Sequence, residues 1–277
     1  MFGATSSLRA HAVTCTFVQE HAANGQLLSA ERRNAILAAL ARDGKVVAAR
    51  LVQELGVSED TVRRDLRELA AQGLVQRVHG GALPPAPQPG SFERRRETFS
   101  AEKAALAEAA VGLLLGARVV LLDGSTTNLE LARRLPADRP RTVLTNSPPI
   151  AAALAEHPCA EVVMIGGRLD KRAQVTTGAA ALDFIRSVRA DACVLGVCAL
   201  HPEAGLSTDD LEEAQVKRAM VESSADVIAL ATADKLRAGS PYLVAPVGEL
   251  THLVAEASAS DELLDPYRAL GVSVTLA

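Results

Sequence analysis

The sequence predicts an α/β protein in two parts, a small helical domain at residues 30–83 and a larger α/β domain at residues 92–277. Apolar residues recur at helical spacing in the first part, whereas strand-length apolar runs alternate with helical patterns in the second. Between them, residues 84–91 contain four prolines, which favour a semi-rigid linker. A length of 277 residues suits a small module followed by a larger domain. Residues 1–29 show no clear periodicity, and we expect a disordered extension there.

Three consecutive segments of the first part carry an apolar face at helical spacing, so they predict three helices around one small core. Gly56 separates the second segment from the third and tolerates positive φ. Ser58 follows as a good N-cap for the third helix, whose first turn is acidic. The expected buried positions are Ile36, Leu37 and Leu40 in the first helix, Ala49, Val52 and Leu55 in the second, and Val62, Leu66 and Leu69 in the third.

The third helix carries arginines opposite its apolar stripe, and this arrangement predicts a helix that reads the DNA major groove. Arginine binds guanine edges bidentately and neutralises phosphates. For such a helix in isolation, a merely solvated surface is the better explanation. Here a strand and turn at residues 74–82 follow as a wing, and three helices plus a wing favour DNA binding. The expected DNA contacts are Ser58, Thr61, Arg63, Arg64, Arg67, Arg77 and His79.

The sequence T-V-R-R-D-L at residues 61–66, together with R-V-H-G-G at residues 77–81, resembles the DeoR-type bacterial transcriptional regulator family. The resemblance extends over roughly residues 30–255. It implies a winged helix-turn-helix that binds DNA, in a repressor of a carbohydrate or related metabolic operon controlled by a phosphorylated metabolite. It also implies a second domain similar in fold to pentose-phosphate isomerases and CoA transferases.

The charge distribution agrees with DNA binding by the first part alone. Residues 30–83 carry nine Lys or Arg against seven Asp or Glu, whereas the rest of the chain carries 20 against 26. An acidic body disfavours non-specific DNA contact outside the basic domain. The four cysteines lack metal-ligand spacing, no apolar run is long enough to span a membrane, and the N-terminus lacks a signal-peptide pattern. We therefore expect a cytoplasmic protein without a metal or cofactor.

From residue 92 onward the pattern predicts seven strands alternating with helices, typical of a largely parallel sheet covered by helices. The expected strands are residues 119–123, 142–145, 161–165, 192–197, 227–231, 252–255 and 272–275. The expected helices are residues 101–115, 129–135, 149–156, 180–188, 210–223 and 261–270. In doubly wound sheets of this kind, ligands bind where loops at the carboxyl ends of the strands converge.

Small polar residues follow three of these strands and predict an anion-binding site. Backbone N–H groups and hydroxyls at a helix start form a cradle for phosphate, and no Gly-Lys-Ser/Thr follows that would indicate nucleotide hydrolysis. For any one loop, ordinary caps and tight turns are the simpler explanation. Three such loops in one sheet, with the family resemblance, favour a ligand site. The expected effector-binding residues are Gly124, Ser125, Thr126, Thr127, Asn146, Ser147, Gly166, Gly167, Lys217 and Lys235.

Two departures from the family pattern lie in the second domain. The family commonly has G-A-D-G-I where this chain has G-V-C-A-L, so Cys198 stands in place of an aspartate that would bind sugar hydroxyls. The family's A-D-S-S-K is replaced by A-T-A-D-K at residues 231–235. These departures leave the location of the site unchanged, but they leave the identity of the effector open.

Two other functions compete with that of a regulator. An isomerase or transferase with an attached DNA-binding domain needs an acid–base pair in its pocket, and Cys198 replaces the best-placed carboxylate. Glu212, Glu213, Asp234 and Lys217 stay as candidates for such a pair. An architectural DNA binder would not need so large an acidic second domain. We therefore expect no enzymatic activity, and we expect three partners: a double-stranded DNA operator, a small phosphorylated metabolite and further copies of this chain in a dimer or tetramer.

Overall fold

The computed structural model describes residues 28–87 and 90–277, and it divides the chain into two compact units between Pro85 and Ala86. We call them the N-terminal unit and the C-terminal unit. The division falls inside the expected linker at residues 84–91. The expected extension at residues 1–29 lies almost wholly outside the described residues.

The described part of the N-terminal unit consists of three helices and three short strands. They are α1 (Ser29–Asp43), β1 (Val46–Val47), α2 (Ala48–Leu55), α3 (Glu59–Ala71), β2 (Gln76–Val78) and β3 (Gly81–Leu83). Gly56 ends α2 at a φ of 62°. Ser58 then begins α3, and its side chain accepts a hydrogen bond from the Thr61 backbone N–H at 3.3 Å. The predicted helix-turn-helix is therefore confirmed, including its turn and its N-cap.

The buried face of α2 differs from the face that the sequence predicted. Leu51 and Leu55 are buried and Val52 is half-buried, whereas Ala49 is exposed. The expected burial of Ala49 was wrong, because turning Leu51 inward removes more apolar surface from water than burying an alanine methyl group. The predicted core positions of α1 and α3 are otherwise confirmed, with Leu37 only half-buried.

The wing forms as predicted, with an additional strand that the sequence did not indicate. β2 and β3 pair antiparallel around a turn at His79 and Gly80, where Gly80 has a φ of 80°. β1 pairs with the other edge of β3, Val47 opposite Gly81. A Cβ at Gly81 would lie 1.9 Å from the Val46 carbonyl oxygen, so this close approach requires glycine.

The C-terminal unit alternates strands and helices along its whole length. Its strands are β4 (Val119–Leu122), β5 (Arg141–Thr145), β6 (Ala160–Met164), β7 (Arg168–Asp170), β8 (Val175–Thr177), β9 (Ala190–Gly196), β10 (Ala199–His201), β11 (Gly205–Thr208), β12 (Ser224–Ala231), β13 (Tyr242–Ala245), β14 (His252–Ala255) and β15 (Ser273–Leu276). Its helices are α4 (Phe92–Glu97), α5 (Ser100–Val111), α6 (Thr126–Ala132), α7 (Pro148–Leu154), α8 (Ala179–Arg186), α9 (Leu211–Glu222) and α10 (Asp261–Ala269), with short 3₁₀ turns at Gly112–Leu114, Ala233–Lys235 and Val247–Glu249.

Within the described residues, seven of these strands form one parallel sheet in the order β15-β14-β12-β9-β4-β5-β6. These are the seven strands that the sequence predicted. The structure adds a hairpin of β7 and β8, an antiparallel sheet of β10, β11 and β13, and the helix α4. Segments of three to six residues are too short to show a clear periodicity, so the sequence did not indicate them.

Helices cover both faces of the parallel sheet. Along β4, Val120 and Leu122 pack into the apolar cluster that contains residues of α5, α6 and α7. Leu121 points to the opposite cluster, which contains residues of α8, α9 and α10. Burial on both faces explains why these strands read as continuous apolar runs rather than as alternating patterns.

The strand order places a topological switch between β4 and β9. From β4 the chain proceeds through β5 to β6 at one edge, and then from β9 through β12 and β14 to β15 at the other. The loops that leave β4 and β9 therefore diverge, and a crevice opens at their carboxyl ends.

Candidate functional site

A cavity of about 440 Å³ lies at the carboxyl ends of β4, β9 and β12, beside the topological switch. The loops after these strands and the helices α4, α5 and α9 supply its wall. The lining residues are 124–127 after β4, 196–198 at the end of β9, Thr232, Asp234 and Lys235 after β12, Glu213 and Lys217 of α9, Arg94, Arg95, Thr98, Phe99 and Lys103 from α4, α5 and their connecting turn, and Pro87, Gly90 and Ala173.

The loop after β4 is shaped by close packing. A Cβ at Gly124 would lie 2.1 Å from Cγ1 of Val175, so this position admits only glycine. Ser125 caps α6, because its Oγ accepts a hydrogen bond from the Asn128 backbone N–H at 2.9 Å. Thr126 and Thr127 are buried and line the cavity. The structure thus brings all four expected residues of this loop to the cavity.

The loops after β5 and β6 take a different place from the one expected. Asn146 accepts a hydrogen bond from the Gly124 N–H at 3.0 Å, and Ser147 donates to the Gln174 carbonyl at 3.3 Å. Gly166 and Gly167 are exposed. None of these four residues lines the cavity, because β5 and β6 lie on the side of β4 that faces away from the switch. Asn146 and Ser147 instead support the loop that does line it.

Lys217 lines the cavity, but its charge is compensated within the protein. It is 1% exposed, and its Nζ donates to Oδ2 of Asp123 and to the Gly196 carbonyl and lies 3.2 Å from Oε1 of Glu213. Burial opposes the charge of Lys217, but the carboxylates of Asp123 and Glu213 outweigh burial and raise its pKa. Burial also raises the pKa of Glu213. Because these two carboxylates already compensate the charge of Lys217, its ammonium group attracts an anionic ligand only weakly.

Four other cations line the cavity without a carboxylate partner among the described hydrogen bonds and ion pairs: Arg94, Arg95, Lys103 and Lys235. Nζ of Lys103 donates to the carbonyls of Arg95 and Thr98. Burial lowers the pKa of Lys103 to about 8, and the charges of Lys235 and Arg95 add to this effect. Burial likewise lowers the pKa of Lys235. Of these four, the sequence analysis indicated Lys235 alone. The run of arginines at residues 94–96 was the available signal for Arg94 and Arg95, and no local pattern marked Lys103.

Cys198 lines the cavity as a neutral thiol. Burial raises its pKa, and the Thr208 hydroxyl lies 3.4 Å from its Sγ. Cys198, which stands where the family commonly has an aspartate, therefore lines the cavity.

The second candidate surface is the outer face of α3 in the N-terminal unit. Val62, Leu66 and Leu69 are buried, whereas Arg63, Arg64 and Arg67 are exposed. Arg63 pairs with Glu59 one turn earlier at 2.6 Å. Arg64 and Arg67 make no hydrogen bond or ion pair with any described residue. An exposed helical pair is worth only about 0.3–0.5 kcal/mol, so all three guanidinium groups are accessible to DNA.

Two contacts hold α3 in place, and two exposed wing residues complete this surface. Asp65, which the sequence did not single out, is 2% exposed and accepts two hydrogen bonds from Arg32 at 2.7 and 3.1 Å, so that α1 fixes α3. Oγ of Ser58 lies 2.9 Å from Oγ1 of Thr61 at the start of α3. Arg77 and His79 are exposed on the wing. The expected DNA contacts therefore lie at the start of α3, along α3 and on the wing, and the Arg32–Asp65 ion pair holds α3 against α1.

Within residues 28–87 and 90–277, no group of three or more His, Cys, Asp or Glu side chains could hold a metal ion. In the same described ranges no helix is long and apolar enough to cross a membrane.

Two known domain families match these two regions of the chain. The DeoR-like helix-turn-helix domain matches residues 32–88, and the DeoR C terminal sensor domain matches residues 98–257. The chain belongs to the DeoR family. In this DeoR-family transcriptional regulator, α3 and the wing lie in the helix-turn-helix match, and most of the residues that line the cavity lie in the sensor match. Arg94 and Arg95 precede the sensor match.

Relatives agree with this assignment over nearly the whole chain. The HTH-type transcriptional regulator GlpR of Haloferax volcanii is 34% identical, over 90% of this chain and 98% of the relative. The glycerol-3-phosphate regulon repressor of Escherichia coli is 32% identical, over 72% of this chain and 79% of the relative. Ribose 5-phosphate isomerase A of Methanocaldococcus jannaschii is 14% identical, over 50% of this chain and 55% of that structure, with a TM-score of 0.36, which is too low to establish a shared fold.

Proposed function

We propose that this DeoR-family regulator represses a carbohydrate or related metabolic operon and that a phosphorylated metabolite in the cavity controls it. The observation that carries the proposal is the cavity at the switch point, which four cations line without a carboxylate partner. A relative whose name is glycerol-3-phosphate regulon repressor supports the same class of effector. Because the operator is chromosomal DNA, we expect the protein to act in the cytoplasm.

The anion fits the charge of the cavity. Lys217 is paired with Asp123 and Glu213. Outside this network Asp234 is the carboxylate that lines the cavity, and Asp234 and Glu102 attract Lys103. A phosphate monoester carries a charge near −2 at neutral pH and three acceptor oxygens, which suits several ammonium and guanidinium donors. In a partly desolvated cavity this attraction is stronger than in water.

On the DNA side, we propose that Thr61, Arg63 and Arg64 read bases, while Ser58, Arg67, Arg77 and His79 position phosphates. A single winged module contacts too little DNA for operator-level specificity, so we propose that the protein acts as a dimer or tetramer on repeated half-sites. Sedimentation of the full chain should show an oligomer at micromolar concentration, and a monomer there would contradict this part of the proposal.

A proton-transferring enzyme needs an acid–base pair that can exchange protons with the substrate. Of the four acid–base candidates, Asp234 alone lines the cavity without an ion pair among the described residues, whereas Glu212 pairs with Arg168 and does not line the cavity. Lys217 is paired with both Asp123 and Glu213, and Cys198 is a half-buried thiol whose pKa is raised by burial. We infer that the protein is not an enzyme. Incubation with sugar phosphates followed by product analysis should detect no turnover.

The ligand can control DNA binding only if it binds one form of the protein, either the operator-competent or the operator-incompetent form, more tightly than the other. A ligand that binds the operator-competent and operator-incompetent forms equally shifts nothing. The test is a thermal-shift screen of phosphorylated metabolites on the full chain, followed by operator titration with and without each hit. We expect a stabilising metabolite that changes operator affinity. A stabilising metabolite without effect on operator binding would contradict the regulatory role.

A further inference from the structure

The turn between α4 and α5 is held by a lysine that also lines the cavity. Thr98 ends α4 in an extended conformation, and Phe99 follows with a φ of 53°. Positive φ is uncommon for a bulky aromatic residue, so neighbouring contacts must hold it there. The last carbonyls of a helix have no partner within the helix. Nζ of Lys103 donates to two carbonyls here, those of Arg95 and Thr98, the latter at 2.6 Å.

The same ammonium group has one donor left. An ammonium carries three hydrogens, and two of them reach the carbonyls of Arg95 and Thr98. Lys103 lines the cavity and is only 5% exposed. The third hydrogen is therefore available to an anion in the cavity. Lys103 thus binds the α4–α5 turn through its ammonium group and also lines the cavity.

The charges around Lys103 favour an anion at this point. Lys235 and Arg95 repel its charge, whereas Asp234 and Glu102 attract it more weakly. Burial is the main cause that lowers the pKa of Lys103 to about 8, and this repulsion adds to it. An anion beside Lys103 and Lys235 relieves this repulsion and adds a charge-assisted hydrogen bond. The ammonium is then held more firmly, and so are the two carbonyls that it binds.

We propose that Lys103 couples occupancy of the cavity to the stability of α4, by holding the α4–α5 turn with two hydrogens and the bound anion with the third. The proposal rests on the proposed function, because it assigns the regulation of the same site. α4 is the first helix after the proline-rich linker and itself carries Arg94 and Arg95 into the cavity. A bound anion thus stabilises the helix through which the chain enters the sensor.

The test is hydrogen exchange of the full chain with and without inorganic phosphate, read by mass spectrometry on peptides that cover residues 91–99. The backbone N–H groups of Arg95 and Thr98 donate to the carbonyls of Ser91 and Arg94, so they report on α4. Lys103→Met removes the ammonium and keeps an unbranched side chain. Lys235→Met is the matched control, since it removes a cation from the same cavity without any bond to the turn.

We expect saturating phosphate to slow exchange of these peptides severalfold in the unaltered protein. Lys103→Met should speed exchange without phosphate and abolish the slowing at saturation. Lys235→Met should weaken phosphate binding in calorimetry and retain the slowing at saturation. It should not speed exchange without phosphate, because it removes a charge that repels Lys103. Circular dichroism checks that both variants fold, and the slowing in the unaltered protein tests the proposal even if Lys103→Met does not fold.

Apart from bound phosphate that fails to slow exchange in the unaltered protein, three results would overturn the proposal. The first is full slowing in folded Lys103→Met at saturating phosphate. The second is faster exchange without phosphate in Lys235→Met to the same extent as in Lys103→Met, which would show a general effect of cavity charge. Both leave the proposed effector site standing if calorimetry shows phosphate binding. The third is the absence of phosphate binding to the unaltered protein, which would overturn the anion site and the coupling together.

Discussion

Asp123 and Lys217 form an ion pair that is buried beneath the cavity, with Asp123 fully buried and Lys217 1% exposed. Asp123 comes from the end of β4 and Lys217 from α9, and the Gly196 carbonyl of β9 accepts a further hydrogen bond from the lysine. The pair thus joins the two strands that flank the topological switch.

We predict that Lys217→Met destabilises the C-terminal unit by about 3–5 kcal/mol, because it leaves Asp123 and Glu213 buried without a counter-charge. Urea unfolding followed by circular dichroism measures the loss. Lys235→Met is the control and should cost much less, since Lys235 is partly exposed and has no carboxylate partner among the described contacts. Adding Asp123→Asn to Lys217→Met should recover part of the loss. Equal losses for Lys217→Met and Lys235→Met would show that the pair does not stabilise the fold.

We predict that anion binding takes up protons above pH 8. Burial lowers the pKa of Lys103 to about 8 in the ligand-free protein, and an anion beside it raises that pKa. Well below pH 8 the lysine is protonated in both states and the uptake disappears. Between pH 8 and the raised pKa, the bound state holds more protons, so affinity falls as pH rises. Calorimetry with sulfate, a dianion over this range, in buffers of different ionisation enthalpy measures the uptake. Loss of the uptake in Lys103→Met would assign it to this lysine, and its persistence there would contradict the assignment.

We predict that Arg64→Ala loses about 1–3 kcal/mol of discrimination between cognate and scrambled operators, because Arg64 is exposed opposite the buried stripe of α3 and has no partner among the described residues. Gel shifts on both DNAs measure it. Arg77→Ala, on the wing, is the comparison and should weaken binding to both DNAs alike. An equal loss on both DNAs for Arg64→Ala, with preference intact, would assign Arg64 to phosphate contact.

We predict that Thr126→Asp weakens effector binding and leaves ligand-free operator affinity nearly unchanged. Thr126 is 6% exposed and lines the cavity, so a carboxylate there repels the anion. Thr126→Asn has a similar shape without the charge and should bind more tightly than the aspartate variant. Calorimetry and operator titrations with and without metabolite measure both effects. A metabolite response of full strength in Thr126→Asp would place the phosphate site elsewhere.

Local patterns were sufficient for the longer helices, for the strands of the parallel sheet and for part of the site. The seven strands of the parallel sheet, the arginine face of α3 and the loop at residues 124–127 each follow from neighbouring residues in the sequence. Periodicity, capping and loop composition act within a few residues, so they can be read directly from the chain. The face of α2 shows the limit of this reading, because the sequence favoured Ala49 and the structure buries Leu51.

The sequence by itself therefore determined the two kinds of domain, the DNA-reading helix and one wall of the cavity. Only the tertiary structure decided which loops line the cavity, because the strand order depends on the direction of each crossover. That order brings the loops after β9 and β12 to the cavity beside the β4 loop, whereas the loop after β5 supports the β4 loop without lining the cavity. The tertiary structure also decided which cations lack a carboxylate partner and can bind an anionic ligand. Lys217 is neutralised by Asp123, 94 positions away in sequence, whereas Lys103 and Lys235 have no carboxylate partner among the described contacts. The charge available at a site depends on neighbours in space, and packing over long sequence separations supplies those neighbours.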